Sequence, residues 1–358
     1  MKKYIILGVL ILVIGSMVLI PYFKNNSNKS TDVATELPAT FSFKDNLATT
    51  YNSVVELEIN INSEDIDRLE LIYNDSIFKT WQQPTKDIKI QINTGFYGIG
   101  TKAISLISYK KDGTQFNDNR MVRVLSDILP AIWIAKIKQV FPHNNKHYTQ
   151  GLEFNEGKLF EGIGQYNASL VCQKELKTGN IVPSKEMNLD NSYFGEGITI
   201  FKDQLYQLTW QEQTCIVYNK ESFEIIKTIP YIGEGWGLCN DGTSLIMSNG
   251  TERITFRNPT TFSIERTIDV YDNEGPIQQL NELEFIDGKI YANVYTTNKV
   301  VVIEPETGRV VAIMDGTELE KAGRGFGDVM NGIATNDGKI YMTGKNWNKL
   351  FEVTIEKP

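Results

Sequence analysis

Residues 280–314 read LNELEFIDGKIYANVYTTNKVVVIEPETGRVVAIM, and the order of elements within them decides how the rest of the chain is read. An apolar segment at 282–285 leads through Asp287-Gly288 to the pair Ile290-Tyr291. Asp-Gly between apolar runs is a hairpin signal, because a tight turn of the right twist needs positive φ at both central residues. Two further strand-like runs, 300–303 and 310–314, flank the Glu304-Pro-Glu-Thr-Gly308 turn. One such stretch is a four-stranded meander.

Outward from this unit the same order recurs. The strand pairs Leu159-Phe160, Leu205-Tyr206, Leu245-Ile246, Ile290-Tyr291 and Ile340-Tyr341 follow one another at intervals of 46, 40, 45 and 50 residues. A short apolar segment precedes each pair, at 151–154, 197–200, 237–239, 282–285 and 332–334. Four strands in about 45 residues is the period of a propeller blade. The last unit is short of an outer strand, and residues 135–141, just ahead of the first unit, can supply it and remove the open edges. The expectation is an all-β chain with a five-bladed β-propeller over 135–358.

Upstream, residues 37–128 hold short alternating runs such as Val54–Ile61 and 103–109, separated by turn residues. Some seven strands in that length suit a small immunoglobulin-like β-sandwich. At the N-terminus Lys2-Lys3 precede an apolar run, and residues 1–23 are read as a transmembrane helix, either a signal anchor or a cleaved signal. The polar stretch 24–36 is read as a flexible tether. This arrangement places the remainder outside the membrane, periplasmic or extracellular.

Composition excludes some functions. With 36 Lys and Arg against 44 Asp and Glu, the formal net charge is −8, so no basic stripe is available for nucleic acid. Three cysteines make neither a disulfide framework nor a zinc site. His143 and His147 are four apart, but Pro142 and Asn144-Asn145 disfavour the helix that would aim both at one metal. No metal site and no organic cofactor are expected.

Aligning the five units gives a candidate site. Just before each first strand stand Gln150, Glu196, Trp236, Asn281 and Asn331; four positions beyond each second-strand pair stand Gly164, Trp210, Gly250, Tyr295 and Lys345. In an antiparallel hairpin the start of one strand and the end of the next share an edge. Both sets therefore face one rim, where aromatic groups and a few convergent polar groups have the character of a small-molecule site.

The motifs that carry these residues are YTQGL (148–152), YFGEGIT (193–199), LTWQ (208–211), GEGWGL (233–238), MSNGT (247–251), LNELEF (280–285), YANVY (291–295), MNGIA (330–334) and TGKNW (343–347). Together, over about 138–352, they resemble the plant and bacterial glutamine cyclotransferases. The resemblance implies a five-bladed propeller that cyclises the N-terminal glutamine of peptides or proteins to pyroglutamate without a metal. It also implies that Glu196 is the essential carboxylate, that Gln150, Phe194, Trp210, Trp236 and Asn281 line the site, and that Lys345 is the site's lysine. Tyr295 departs from the pattern, standing where a tryptophan is expected after YANV.

On that reading Glu196 acts as base and then acid, its pKa raised by the aromatic enclosure, while Lys345, Asn281 and Gln150 face the oxyanion. Glu234, Glu282 and Glu284 are expected to be structural. A non-catalytic propeller that binds peptide or glycan has no need of Glu196 and Lys345 at those positions. A metal-dependent propeller hydrolase needs several inner carboxylates, where the aligned rim offers one.

Overall fold

The structure, a computed structural model, describes residues 36–358. The apolar run expected to cross the membrane lies outside the described residues. Among the described residues no helix is long and apolar enough to span a bilayer.

From Thr149 onward the chain builds four successive antiparallel units of four strands and a fifth of three. Their innermost strands are Thr149–Asn155, Gly195–Phe201, Leu238–Asn240, Leu280–Ile286 and Met330–Asn336. Inner strands are buried along nearly their whole length, whereas outer strands such as Ile225–Pro230 alternate between covered and exposed residues. That contrast follows from sequence: GEGITIF has no polar face to offer solvent, while IIKTIP has one.

The cores lie between neighbouring units and run in a circle. Phe160 packs with Ile198 and Leu205, Leu208 with Leu238 and Met247, Ile246 with Leu283 and Ile290, and Val300 with Ile333 and Phe351. Tyr341 and Leu350 of the last unit then pack on Leu152 and Leu159 of the first. The architecture is all-β and propeller-like.

The last unit takes its outer strand from Ala131–Pro142, which pairs antiparallel with Lys349–Glu356, Leu350 standing opposite Phe141. This is the closure expected from the short last unit. The strand is longer than foreseen, and its first residues also pair in parallel with Val310–Asp315 of the fourth unit. The fourth and fifth units thereby share one eight-stranded sheet. A short helix, Thr317–Gly323, was not anticipated. Its Leu319 is buried in the core between those units, and Glu318 accepts from the Ile137 amide at 3.1 Å.

Residues 39–125 form two sheets, a three-stranded and a five-stranded one, around a common core that includes Ile59, Leu69, Leu71 and Leu106. They comprise eight strands, and the sequence reading placed Val54–Ile61 at its observed bounds. Tyr271 of the third repeat joins this core, and Arg309 reaches Asp127 at 2.8 Å.

Candidate active site

Each inner strand must approach its neighbours closely near the axis, and glycine permits it. A Cβ on Gly197 would lie 2.5 Å from the Leu238 amide, and one on Gly237 would collide with the Asn281 carbonyl. The fourth unit has Glu282 at that register position instead. Its carboxylate accepts from the Leu152 amide at 3.2 Å and the Ile333 amide at 2.8 Å, tying the inner strands of the first and fifth units to the fourth.

Immediately before or at these positions the ladder is interrupted. Bulges fall between Thr149 and Gly151, Gly195 and Ile198, Leu280 and Leu283, and Met330 and Ile333. A bulge adds a residue to one strand and re-aims its side chain. The residues it re-aims are Gln150, Glu196, Asn281 and Asn331.

The eight residues proposed from sequence converge on one cavity of about 220 Å³, lined by Gln150, Phe194, Glu196, Trp210, Trp236, Asn281, Tyr295 and Lys345, with Tyr148 and Gln165 in addition. A larger hollow, about 540 Å³, lies where the N-terminal sheets meet the repeats, and it lacks this convergence of indoles and buried polar groups. Asn331 supports the cavity from behind: its amide donates to the Thr149 carbonyl at 2.9 Å and to Gln150 Oε1 at 3.4 Å. Gly164 and Gly250, the small members of the rim alignment, leave room for rings. A Cβ at either would lie 2.6 Å from Phe194 or Trp236.

The aromatic wall has two runs. Tyr148 meets Phe194 edge-on at 6.3 Å, Phe194 meets Trp210 at 5.7 Å, and Trp236 meets Tyr295 at 5.6 Å. Glu234 joins the two indoles, its Oε2 accepting from Trp210 Nε1 at 2.9 Å and Trp236 Nε1 at 3.0 Å. Burial works to raise its pKa, but these N–H groups and Gln211 hold the carboxyl below the usual range. Both indole donors are thus engaged with protein and present ring faces, not N–H groups, to a ligand.

Lys345 closes the ring on the other side. Its ammonium lies 4.6 Å from the Tyr148 ring centre and 4.7 Å from that of Tyr295, and the residue is 2% exposed. Among the described residues no carboxylate stands within ion-pair distance of it. Burial lowers its pKa to about 8, against the upward pull of Glu196 and Asp328.

Glu196 is also buried, and burial raises its pKa well above the usual range; Lys345 opposes this, while Glu234 and Glu212 add to it. Gln150 Nε2 donates to its Oε1 at 3.1 Å. Asn331, Gln150 and Glu196 therefore form a chain that fixes the carboxyl. The Asn281 Oδ1 atom is buried and has no partner among the described residues. A buried polar atom left unpaired costs about 1–3 kcal/mol.

Sequence reasoning passed over Tyr148 and Gln165. Tyr148 sits inside the YTQGL motif, and Gln165 directly follows the rim position Gly164, so the repeat alignment reached one residue short of it.

His143, His147 and Glu161, kept apart by the helical-spacing argument, meet through a strand and a loop. Glu161 Oε1 lies 2.9 Å from His143 Nε2, and Oε2 lies 2.9 Å from His147 Nδ1. The three come close enough together to share an ion. Positive charge is already supplied there by Lys174, whose ammonium lies 3.0 Å from Glu161 Oε2.

Known proteins of one family resemble this chain. The family model described as glutamine cyclotransferase matches residues 109–355. The glutaminyl-peptide cyclotransferase of Arabidopsis thaliana is 33% identical over 225 residues, which is 61% of this chain and 70% of the plant protein. The crystal structure of glutaminyl cyclase from Myxococcus xanthus superposes with a TM-score of 0.61 at 34% identity, over 64% of this chain and all of the bacterial one. With the matched region exceeding half of its length, the chain belongs to the glutamine cyclotransferase family.

Proposed function

We propose that the protein converts the N-terminal glutamine of peptides and proteins to pyroglutamate, releasing ammonia, with Glu196 carrying the proton. One observation supports this above all. A single aromatic-walled cavity holds a buried carboxyl with raised proton affinity beside a buried ammonium with lowered affinity.

The substrate side chain folds back between the ring faces of Trp210, Trp236 and Phe194, which replaces the entropy loss of ring closure with binding. Its α-amine, with a pKa of about 7.7–8 in solution, gives a proton to Glu196, whose raised pKa suits an acceptor near neutrality. The amine nitrogen attacks Cδ of its own carboxamide, the new C–N bond forms, and the carbonyl electron pair moves onto oxygen. Lys345 stabilises that oxyanion across a dry cavity, assisted by the second N–H of Gln150. Asn281, on the same cavity wall, adds its carboxamide N–H as a further donor to that oxyanion. When the C=O re-forms, the bond from Cδ to the side-chain nitrogen breaks, and Glu196 returns its proton to that nitrogen, which leaves as ammonia. The emptied Glu196 carboxylate then accepts the extra proton left on the ring nitrogen, so that the product is the neutral lactam.

The wider assignment follows the same reading. The five four-stranded units in circular succession support a five-bladed propeller over 135–358, and the two sheets ahead of it support an immunoglobulin-like module over 37–128. The charge and apolarity of residues 1–23, followed by the polar tether 24–36, support an exported protein held at a membrane.

The test is mass spectrometry of a Gln-initiated peptide after exposure to the purified protein, which is expected to show loss of one ammonia. Glu196→Gln is expected to lower kcat by about 10²–10⁴-fold with an unchanged thermal melt. Near-normal turnover by that variant would remove Glu196 from the mechanism.

A further inference from the structure

The cavity is small. At about 220 Å³ it falls below the roughly 300–1,000 Å³ of pockets that enclose drug-sized ligands, so it accommodates one residue and the remainder of a peptide must leave it. Of the ten lining residues, nine are buried or half-buried, and only Gln165 is exposed. Its position marks where the cavity opens.

The turn that carries it is fixed. Gln165 has φ +98°, an uncommon backbone state for a residue with a side chain. Strain of this kind persists only where the surroundings impose it. Here Ser169 Oγ donates to the Gln165 carbonyl at 2.8 Å and accepts from the Gly195 amide at 2.8 Å, next to Glu196. The Gly164 amide donates to the Tyr148 carbonyl at 2.9 Å. The turn is therefore tied to the segments bearing Tyr148 and Glu196.

Beside it, Tyr166 is 43% exposed and meets Phe194 edge-on at 5.3 Å, extending the aromatic wall beyond the cavity. Its hydroxyl donates to Glu212 Oε1 at 2.9 Å, and Glu212 Oε2 accepts from the Phe194 amide at 3.3 Å. An exposed ring pinned at its hydroxyl and edge is a preorganised surface.

Building on the cyclisation reading above, we infer that Gln165 and Tyr166 form the subsite for the residue that follows the glutamine. The Gln165 carboxamide hydrogen-bonds the first peptide bond as the chain leaves the cavity. The free face of Tyr166 packs against the second side chain and favours apolar or flat ones. These are specificity-determining contacts outside the reacting atoms.

The experiment compares kcat/KM for three substrates: glutamine methyl ester, which has no second residue, Gln-Gly-amide and Gln-Phe-amide. The wild-type protein is expected to prefer Gln-Phe-amide over Gln-Gly-amide. Tyr166→Ala is expected to reduce that preference about tenfold, through KM, while Tyr166→Phe retains it. Gln165→Gly, which suits the positive φ, is expected to lower the ratio of either dipeptide to the ester about tenfold. Equal losses on all three substrates would show a structural role and overturn the inference, as would unchanged ratios. If the wild-type protein cyclises none of the three, the parent reading itself fails; normal turnover with flat ratios removes only the subsite.

Discussion

Glu196 and Lys345 meet the same dry surroundings with opposite results, because burial always disfavours the charged form. It raises the carboxyl and lowers the ammonium, and each is the other's counterweight. Lys345 must stay protonated to stabilise an oxyanion, so kcat/KM is expected to fall on the alkaline side as that proton is lost near pH 8. The Asp328 carboxylate helps to hold the lysine pKa up. Asp328→Asn removes that support, the lysine pKa drops, and the alkaline fall moves to lower pH. A pH–rate profile that kept its alkaline limb in place would separate Lys345 from the reaction. At this scale sequence was informative about which residues gather and less so about which atoms are free. That Gln150 faces Glu196, and that Glu234 occupies both indole N–H groups, depends on side-chain orientations that no repeat alignment contains.

At the scale of elements, the five hairpins were legible because Asp-Gly turns and buried inner strands repeat at nearly constant spacing. The bulges that turn Gln150, Glu196 and Asn281 toward the cavity were foreshadowed only by an adjacent glycine, or by Glu282. The helix Thr317–Gly323 was hidden because its seven residues are too few to establish a 3.6-residue pattern. The network on Glu161 was missed for a different reason: its members come from a loop and two strands and meet only after folding. That carboxyl is fully buried, and although burial works to raise its pKa, His143 and Lys174 bring it well below the usual range. Glu161→Gln leaves Lys174 buried without its counter-charge. Such a loss costs about 3–5 kcal/mol, measurable as a shift in the denaturant midpoint. Because His147 adjoins Tyr148 and His143 bonds the Trp347 carbonyl at 2.7 Å, local loosening there also reaches the Lys345 turn.

For the molecule as a whole, three buried carboxyls, Glu153, Glu282 and Glu284, have pKa values raised chiefly by burial, and near one another they reinforce the effect. A group whose folded pKa lies above its unfolded value binds protons more tightly when folded. Its stabilising contribution is complete below about pH 4 and declines as pH rises through the folded value. Thermal melts are therefore expected to fall between pH 5 and about 9, and Glu153→Gln, which cannot ionise, is expected to flatten that slope. An equal slope in the variant would show that Glu153 does not titrate over this range.

The pairing of Ala131–Pro142 with Lys349–Glu356 joins segments far apart along the chain, Pro142 standing opposite Lys349 and Ile134 opposite Glu356. The ribosome delivers one partner long before the other, and Lys345 is made well after Gln150 and Glu196. A growing chain that already displays Gln150 and Glu196 thus lacks the cation opposite them, and catalytic competence comes only when synthesis reaches the final repeat.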